Sequence, residues 1–207
     1  MRILNLYAGI GGNRKLWGDE HEITAVELNP EIAKIYSDFF PNDEMIIGDA
    51  HDYLEKHYKE YDFIWSSPPC QSHSKIRMMA SKAGSYDAIM PDMNLWREII
   101  FLNCFSIHEY VVENVKPYYN PLIVPTVKLD RHLFWANFEI PKIEIKDGLK
   151  HNERGMNNKG FFDLSNYKLN HRKDQIIRNS VNPEIGLYIL NQVLRKTETV
   201  NEGLFAL

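Results

Sequence analysis

Pro68-Pro69-Cys70-Gln71 places a thiol behind two stiff residues, in polar company. A thiolate is the strongest side-chain nucleophile near neutral pH, and a rigid approach holds it ready for attack. Further on, Glu113 leaves the apolar run Val-Val-Glu-Asn-Val. Burial there raises a carboxyl pKa and fits it to donate a proton. Upstream, Gly9, Gly11 and Gly12 in Ala8-Gly-Ile-Gly-Gly12 let backbone approach a nucleotide closely. The spacing is not G-x-G-x-x-G, which favours a mononucleotide-like crevice over a dinucleotide one. Glu27 and Asp49 each close a later apolar run, where one carboxylate can accept ribose hydroxyls and the other an adenine amino group. A glycine turn can be structural alone and a strand-end acid can be a helix cap. All three features together point to an adenosine-containing cofactor.

These residues need a scaffold that brings them to one edge. Short apolar runs alternate with helical patterns, the mark of βαβ units on a parallel sheet. Strands are predicted at Ile3–Tyr7, Ile23–Glu27, Glu44–Ile47, Phe63–Trp65 and Tyr110–Glu113, with a mixed signal over Leu133–Ile140. Helices are predicted near Asn13–Trp17, from Pro30, from Asp52 toward Tyr58, over Met93–Ile107 and over Asn182–Arg195. Between them, Gln71 to Gly84 reads as a basic loop, and Pro141 to Lys173 as the least regular stretch, with turn signals at Asp147-Gly148, Gly155, Asn157-Asn158 and Gly160. The tail after Thr197 reads as frayed. The fold class is α/β, a parallel sheet with helices on both faces.

A chain of 207 residues, 44% hydrophobic and 25% charged, builds one full domain with a real core. Disorder is excluded by composition. No apolar run approaches the ~20 residues that cross a bilayer, and the start lacks a signal-peptide pattern, so a cytoplasmic location is expected. Two cysteines are too few for a disulfide framework or a Cys-rich zinc site. Cys104, among Phe101, Leu102, Phe105 and Ile107, is expected to be buried and inert. Eight scattered His offer no short-spaced pair, so no metal is expected. The net charge of −4 hides an acidic first third and a mildly basic last third. Over 142–178, Lys142, Lys146, Lys150, Arg154, Lys159, Lys168, Arg172, Lys173 and Arg178 interleave with Phe161, Phe162 and Tyr167, either a nucleic-acid surface or an ordinary solvated face.

The chain resembles the C5-cytosine DNA methyltransferases. Leu6-Tyr-Ala-Gly-Ile-Gly-Gly12 is similar to the family's first S-adenosylmethionine motif, Glu27-Leu-Asn-Pro to its second and Gly48-Asp49-Ala50 to its third. Pro69-Cys70-Gln71 is similar to the catalytic motif, Glu113-Asn114-Val115 to the Glu-Asn-Val motif, and Arg178-Asn-Ser-Val-Asn-Pro-Glu184 to the last motif. The resemblance implies a Rossmann-like methyltransferase sheet, S-adenosylmethionine converted to S-adenosylhomocysteine, and a flipped cytosine in double-stranded DNA attacked at C6 by Cys70. It implies cofactor contacts from Tyr7, Ala8, Gly9, Gly11, Gly12, Glu27, Leu28, Asp49, Ala50, Pro69, Asn179 and Val181. Catalysis falls to Cys70 and Glu113, and the basic loop offers Gln71, Ser74, Lys75 and Arg77 to DNA.

The chain departs from the family's pattern at two places. Ser67 stands where the family usually has Gly before Pro-Pro-Cys, and Leu129-Asp-Arg-His-Leu-Phe134 stands where it has Gln-x-Arg-x-Arg. Arg131 is left as the third catalytic candidate. The expected organisation is a catalytic domain over 1–140, a short target-recognition region over 141–173 and a returning segment over 174–207. So small a recognition region implies a short or relaxed target, or a homodimer or partner subunit that completes it. The compact form resembles orphan, phage-associated members. Alternatives are a tRNA cytosine methyltransferase, a non-catalytic subunit that binds DNA or S-adenosylmethionine, and a nicotinamide oxidoreductase, the last of which leaves Pro-Pro-Cys-Gln unexplained.

Overall fold

The computed structural model describes residues 1–143, 160–170 and 172–204, with side chains as far as Arg195. Strands β1 (Arg2–Leu6), β2 (Glu22–Glu27), β3 (Glu44–Ile47), β4 (Phe63–Ser66) and β5 (Glu109–Val115) are parallel. An antiparallel hairpin of β6 (Val127–Leu129) and β7 (His132–Ala136) closes the sheet in the order β3-β2-β1-β4-β5-β7-β6.

Successive strand residues face opposite sides, and both sides are covered. Ile3, Phe63, Trp65 and Val111 meet Ile185, Ile189, Leu190 and Val193 of α6 (Pro183–Leu204) on one face. Leu4, Leu6, Ile64 and Val112 meet Leu54 of α2 (Ala50–His57) and Leu95, Ile99 and Leu102 of α4 (Asn94–Phe105) on the other. α1 (Pro30–Phe39) starts with Pro at its first turn, and the Asn29 side chain accepts from Glu31 N at 2.8 Å and Ile32 N at 3.3 Å. Behind the glycine turn, Arg14 and Asp43 form a buried two-point ion pair at 2.9 and 3.0 Å, and the Tyr36 hydroxyl donates to Asp43 at 2.7 Å.

Several sequence expectations need correction. The first helix is a 3-10 helix over Asn13–Leu16, and the chain turns away from it at Gly18, where φ is 79°. Gln71 to Gly84 is not all loop, because α3 (Lys75–Lys82) forms there with the Ser74 hydroxyl accepting from Arg77 N at 3.5 Å. None of its residues is buried, and the apolar spacing of Ile76, Met79 and Ala80 was overlooked among its basic neighbours. Cys104 is exposed, since the buried side of α4 runs through Leu95, Ile99 and Leu102 and Cys104 lies off it. The helical backbone of α6 continues past Thr197 to Leu204, where fraying was expected. β6 and α5 (Lys173–Asn179) were not anticipated.

The aromatic residues after Gly160 pack inward instead of lining a surface. Phe162 and Leu164 are buried with Ile10, Ile35 and Ile177, and Phe161 and Tyr167 pack against that cluster. Lys15 lies over the Phe39, Phe40 and Phe162 rings. Residues 144–159, with Lys146, Lys150, Arg154, Lys159 and the turn signals Asp147-Gly148, Gly155 and Asn157-Asn158, lie outside the described residues, as does His171. Among the described residues no helix is long and apolar enough to cross a membrane.

Gly186 lets α6 touch the 3-10 helix, for a Cβ there would fall 2.2 Å from Asn13 O and 2.7 Å from Asn13 Cα. Alanine is the better helix former by about 1 kcal/mol, but a clash against backbone costs about 1–3 kcal/mol and wins. Gly186→Ala is therefore expected to lower stability in urea unfolding. An unchanged or raised midpoint would show that the two helices can move apart freely.

Candidate active site

Parallel register sets the site. Val26, Leu6, Ser66 and Val112 stand side by side across β2, β1, β4 and β5. The next residue on each chain is Glu27, Tyr7, Ser67 or Glu113, so all four emerge at the carboxyl edge of the sheet, where open α/β sheets bind ligands.

After β1 the chain turns through Tyr7 (φ 55°), Gly9 (φ 55°) and Gly11 (φ 81°). A Cβ on Gly12 would meet Val181 O at 2.5 Å, so the segment of the last motif lies directly on the glycine turn. Val181 is buried in the core there, and Asn179 beside it is exposed. Glu27 braces the turn: Oε2 accepts from Gly9 N at 3.0 Å and Oε1 from Asn29 N at 2.9 Å. One bond per oxygen leaves lone pairs for hydroxyl donors. Leu28, which follows β2, and Ile47, the last residue of β3 and the register partner of Glu27, are 68% and 60% exposed and put apolar surface beside that acid. Asp49 caps α2 by accepting from His51 N at 2.8 Å and Asp52 N at 3.1 Å. Ala8 and Ala50 are buried, and the Ala8 backbone is spent inside the fold, its N–H donating to Val26 O at 3.0 Å and its carbonyl accepting from Gly11 N at 2.9 Å.

The reactive end is built from three elements. Asn114 Nδ2 donates to Pro68 O at 2.8 Å in a buried bond, which ties the end of β5 to the segment that carries Cys70. His73 N donates to Cys70 O at 3.1 Å and turns the chain back, and Trp65 Nε1 donates to Ser67 Oγ at 2.8 Å. Pro69 and Gln71 are exposed on either side of the thiol. Lys75 is exposed on α3, Ser74 is its cap, and the Arg77 guanidinium stacks on Tyr86 at 4.4 Å.

Glu113 is 6% exposed, and burial pushes its carboxyl up to about 7 against the opposing pull of the Ser67 hydroxyl and Arg131. Burial, and then the Glu113 charge, push the Cys70 thiol up to about 11, with Arg131 opposing. Burial lowers Arg131, while Glu113 and Cys70 favour its charge, so the three groups act on one another. Arg131 also donates from Nη2 to Arg178 O, at the end of α5 just before Asn179. His132 Nε2 lies 3.5 Å from Glu113 Oε1. Among the described residues no group of three His, Cys, Asp or Glu is placed to hold a metal ion.

Sequence reasoning missed Glu98, a wholly buried acid on α4 that takes hydrogen bonds from Tyr7, His51 and Ser66. A signal was present, because Glu98 shares the helix face of Leu95 and Leu102, where an acid must find partners.

A mostly parallel sheet with a reversed final hairpin, a glycine turn after β1 and an acid ending β2 is the Rossmann-like fold of the S-adenosylmethionine-dependent methyltransferases. Residues 1–116, more than half of the chain, match the C-5 cytosine-specific DNA methylases, and the chain belongs to that family. Similar solved structures include a variant of Spodoptera frugiperda DNMT2, with 26% identity, TM-score 0.40, and coverage of 58% of this chain and 37% of that one. The Entamoeba histolytica methyltransferase EhMeth gives 19% identity, TM-score 0.37, and coverage of 56% and 38%. The putative methyltransferase yhhF of Escherichia coli gives 12% identity, TM-score 0.41, and coverage of 65% and 73%. The chain thus spans well under half the length of the first two proteins. No curated protein matches it.

The Glu113 carboxyl titrates higher folded than unfolded, so its stabilising effect is full below about 4.5 and is lost as pH rises through about 7. Glu113→Gln keeps an acceptor for Ser67 and removes the buried charge. Above pH 7 it is expected to be more stable than the wild type by up to about 3 kcal/mol, with the gap closing below pH 5. Urea unfolding at pH 5 and pH 8 checks this, and equal stabilities at pH 8 would contradict it.

Proposed function

We propose that the chain is a DNA (cytosine-5)-methyltransferase that uses S-adenosylmethionine and a covalent Cys70–C6 intermediate. The observation that carries this reading is the convergence of Cys70 and Glu113 at the sheet edge, where Ser66 pairs with Val112 and Asn114 Nδ2 donates to Pro68 O at 2.8 Å, with Arg131 acting on both groups.

The residues present suit the cofactor. The glycine turn leaves open space beside Gly9, Glu27 keeps lone pairs for ribose hydroxyls, and Leu28 and Ile47 offer apolar surface for a purine ring. Gly9, Gly11, Asp49, Pro69, Asn179 and Val181 complete the proposed set. When bound, S-adenosylmethionine supplies an electrophilic methyl group for C5.

The chain's own residues do the rest. A cytosine swung out of the duplex meets Cys70, whose sulfur bonds to C6 while the electron pair moves toward N3. Glu113 binds N3 and the amino group and gives N3 a proton, so that C5 gains enamine character. Arg131 steadies both partners. Once C5 is methylated, water takes the C5 proton, the electron pair restores the C5–C6 double bond and expels the Cys70 thiolate, and N3 returns its proton to Glu113. Attack needs a thiolate beside a carboxylic acid, the reverse of the resting arrangement with the thiol near 11 and the acid near 7. Glu113 protonation removes a charge that holds Cys70 in its thiol form, so the two steps help each other.

Gln71, Ser74, Lys75 and Arg77 form the proposed DNA-facing segment, where phosphate contacts offset the few kcal/mol needed to unstack a base. Residues 141–173 form the proposed target-recognition region between a catalytic unit over 1–140 and a returning segment over 174–207. Each base contact is worth about 1–3 kcal/mol, so a region this short reads a dinucleotide or trinucleotide unless a second copy or a partner subunit extends it.

The test is transfer of labelled methyl from S-adenosylmethionine to duplex DNA, with tRNA and Cys70→Ser in parallel. Labelling of DNA by the wild type and loss of at least about a thousandfold in Cys70→Ser are expected. Labelling of tRNA alone would move the substrate to RNA, and full activity of Cys70→Ser would end the covalent mechanism. Bisulfite mapping is expected to return a target of two or three bases, and a six-base site would contradict the short-target reading.

A further inference from the structure

Glu98 is wholly buried in α4, and no step above uses it. Its Oε1 accepts from the Tyr7 hydroxyl at 2.5 Å and pairs with His51 Nδ1 at 3.0 Å, and its Oε2 accepts from the Ser66 hydroxyl at 2.6 Å. The Tyr7 and Ser66 hydroxyls donate to this carboxylate, and the Nδ1-protonated tautomer of His51 makes a third donor. A buried charge persists only where such donors replace water.

The donors come from three different strand ends. Tyr7 directly follows β1 and opens the glycine turn, Ser66 ends β4 ahead of Ser67-Pro-Pro-Cys70, and His51 lies in the first turn of α2 next to Asp49 and Ala50. These are three of the turns that frame the cofactor crevice, and one carboxylate holds them together from below.

We propose that Glu98 is a positioning residue for S-adenosylmethionine, a buried clamp that fixes the Tyr7, His51 and Ser66 turns relative to one another around the cofactor crevice. The inference rests on the cofactor reading above and deepens it. It explains why the middle of an otherwise apolar helix face carries an acid, since leucine would fill the space and leave two hydroxyls and an imidazole without an acceptor. Aspartate is a methylene shorter and cannot reach all three. His51 records the clamp directly, because the bond to Glu98 raises its pKa above the ordinary histidine value.

The experiment is titration calorimetry of the full chain with S-adenosylhomocysteine, for wild type, Glu98→Gln, Tyr7→Phe and the double variant. Wild type is expected to bind, and Glu98→Gln to bind at least about tenfold more weakly. Tyr7→Phe removes one hydroxyl from the clamp and is expected to weaken binding roughly threefold, with the double variant no weaker than Glu98→Gln alone. In methyl transfer, KM for S-adenosylmethionine is expected to rise in Glu98→Gln while kcat at saturation stays within about threefold. His51 is expected to titrate at lower pH by NMR in Glu98→Gln. If Glu98→Gln does not fold, Tyr7→Phe decides. Unchanged affinity in the folded variants, with or without a loss of stability, overturns the clamp and leaves the cofactor reading standing. A wild type that binds no S-adenosylhomocysteine overturns the cofactor reading, and the clamp falls with it.

Discussion

Everything at the candidate site depends on the in-register parallel pairing of β2, β1, β4 and β5. The pairs Val26 with Leu6, Leu6 with Ser66 and Ser66 with Val112 align four strands that are separated in sequence. One residue beyond that line stand Glu27, Tyr7, Ser67 and Glu113. A slip of a single residue in any strand would turn its side chains to the opposite face and carry its functional end out of line. Burial on both faces of the sheet forbids that slip. Core packing and active-site geometry are thus one constraint, and the Asn114 amide on Pro68 O extends it from the strands to the segment that carries Cys70.

The same burial that locks the sheet sets the chemistry. Burial makes Glu113 and Cys70 each resist ionisation, and the Glu113 charge makes Cys70 harder still to ionise. Arg131 opposes both shifts and also holds the Arg178 carbonyl, next to the segment that lies on Gly12. The cytosine side and the cofactor side of the proposed site therefore share an arginine. Glu98 performs a comparable task beneath the crevice, where it joins the turns after β1, β3 and β4.

Much of this was legible in the sequence because it rests on local rules. Alternating apolar runs gave the parallel strands, Pro30 and Asn29 gave the start of α1, and the types and order of Gly9 to Gly12, Glu27, Cys70 and Glu113 gave the edge. What escaped depends on partners remote in sequence. α3 buries no residue, so its Ile76 and Met79 gain no core partner that would mark the helix, and β6 has three residues whose place is set by β7. Phe162 and Tyr167 resemble surface aromatics until Ile35 and Phe39 of α1 are brought against them. Glu98 is the clearest case, since its three donors lie 32 to 91 residues away and no spacing rule connects them. Asp49 was foreseen as a ligand group or a cap, and its Oδ1 caps α2.

The central claim is a covalent bond from Cys70 to C6 of cytosine. Its most direct test uses duplex DNA with 5-fluorocytosine, because fluorine at C5 blocks the proton loss that frees the thiolate. With S-adenosylmethionine present, intact mass is expected to show protein plus DNA plus one methyl group, and peptide mapping to place the adduct on Cys70. Absence of an adduct on DNA that the protein binds, or attachment at any other residue, would contradict the account.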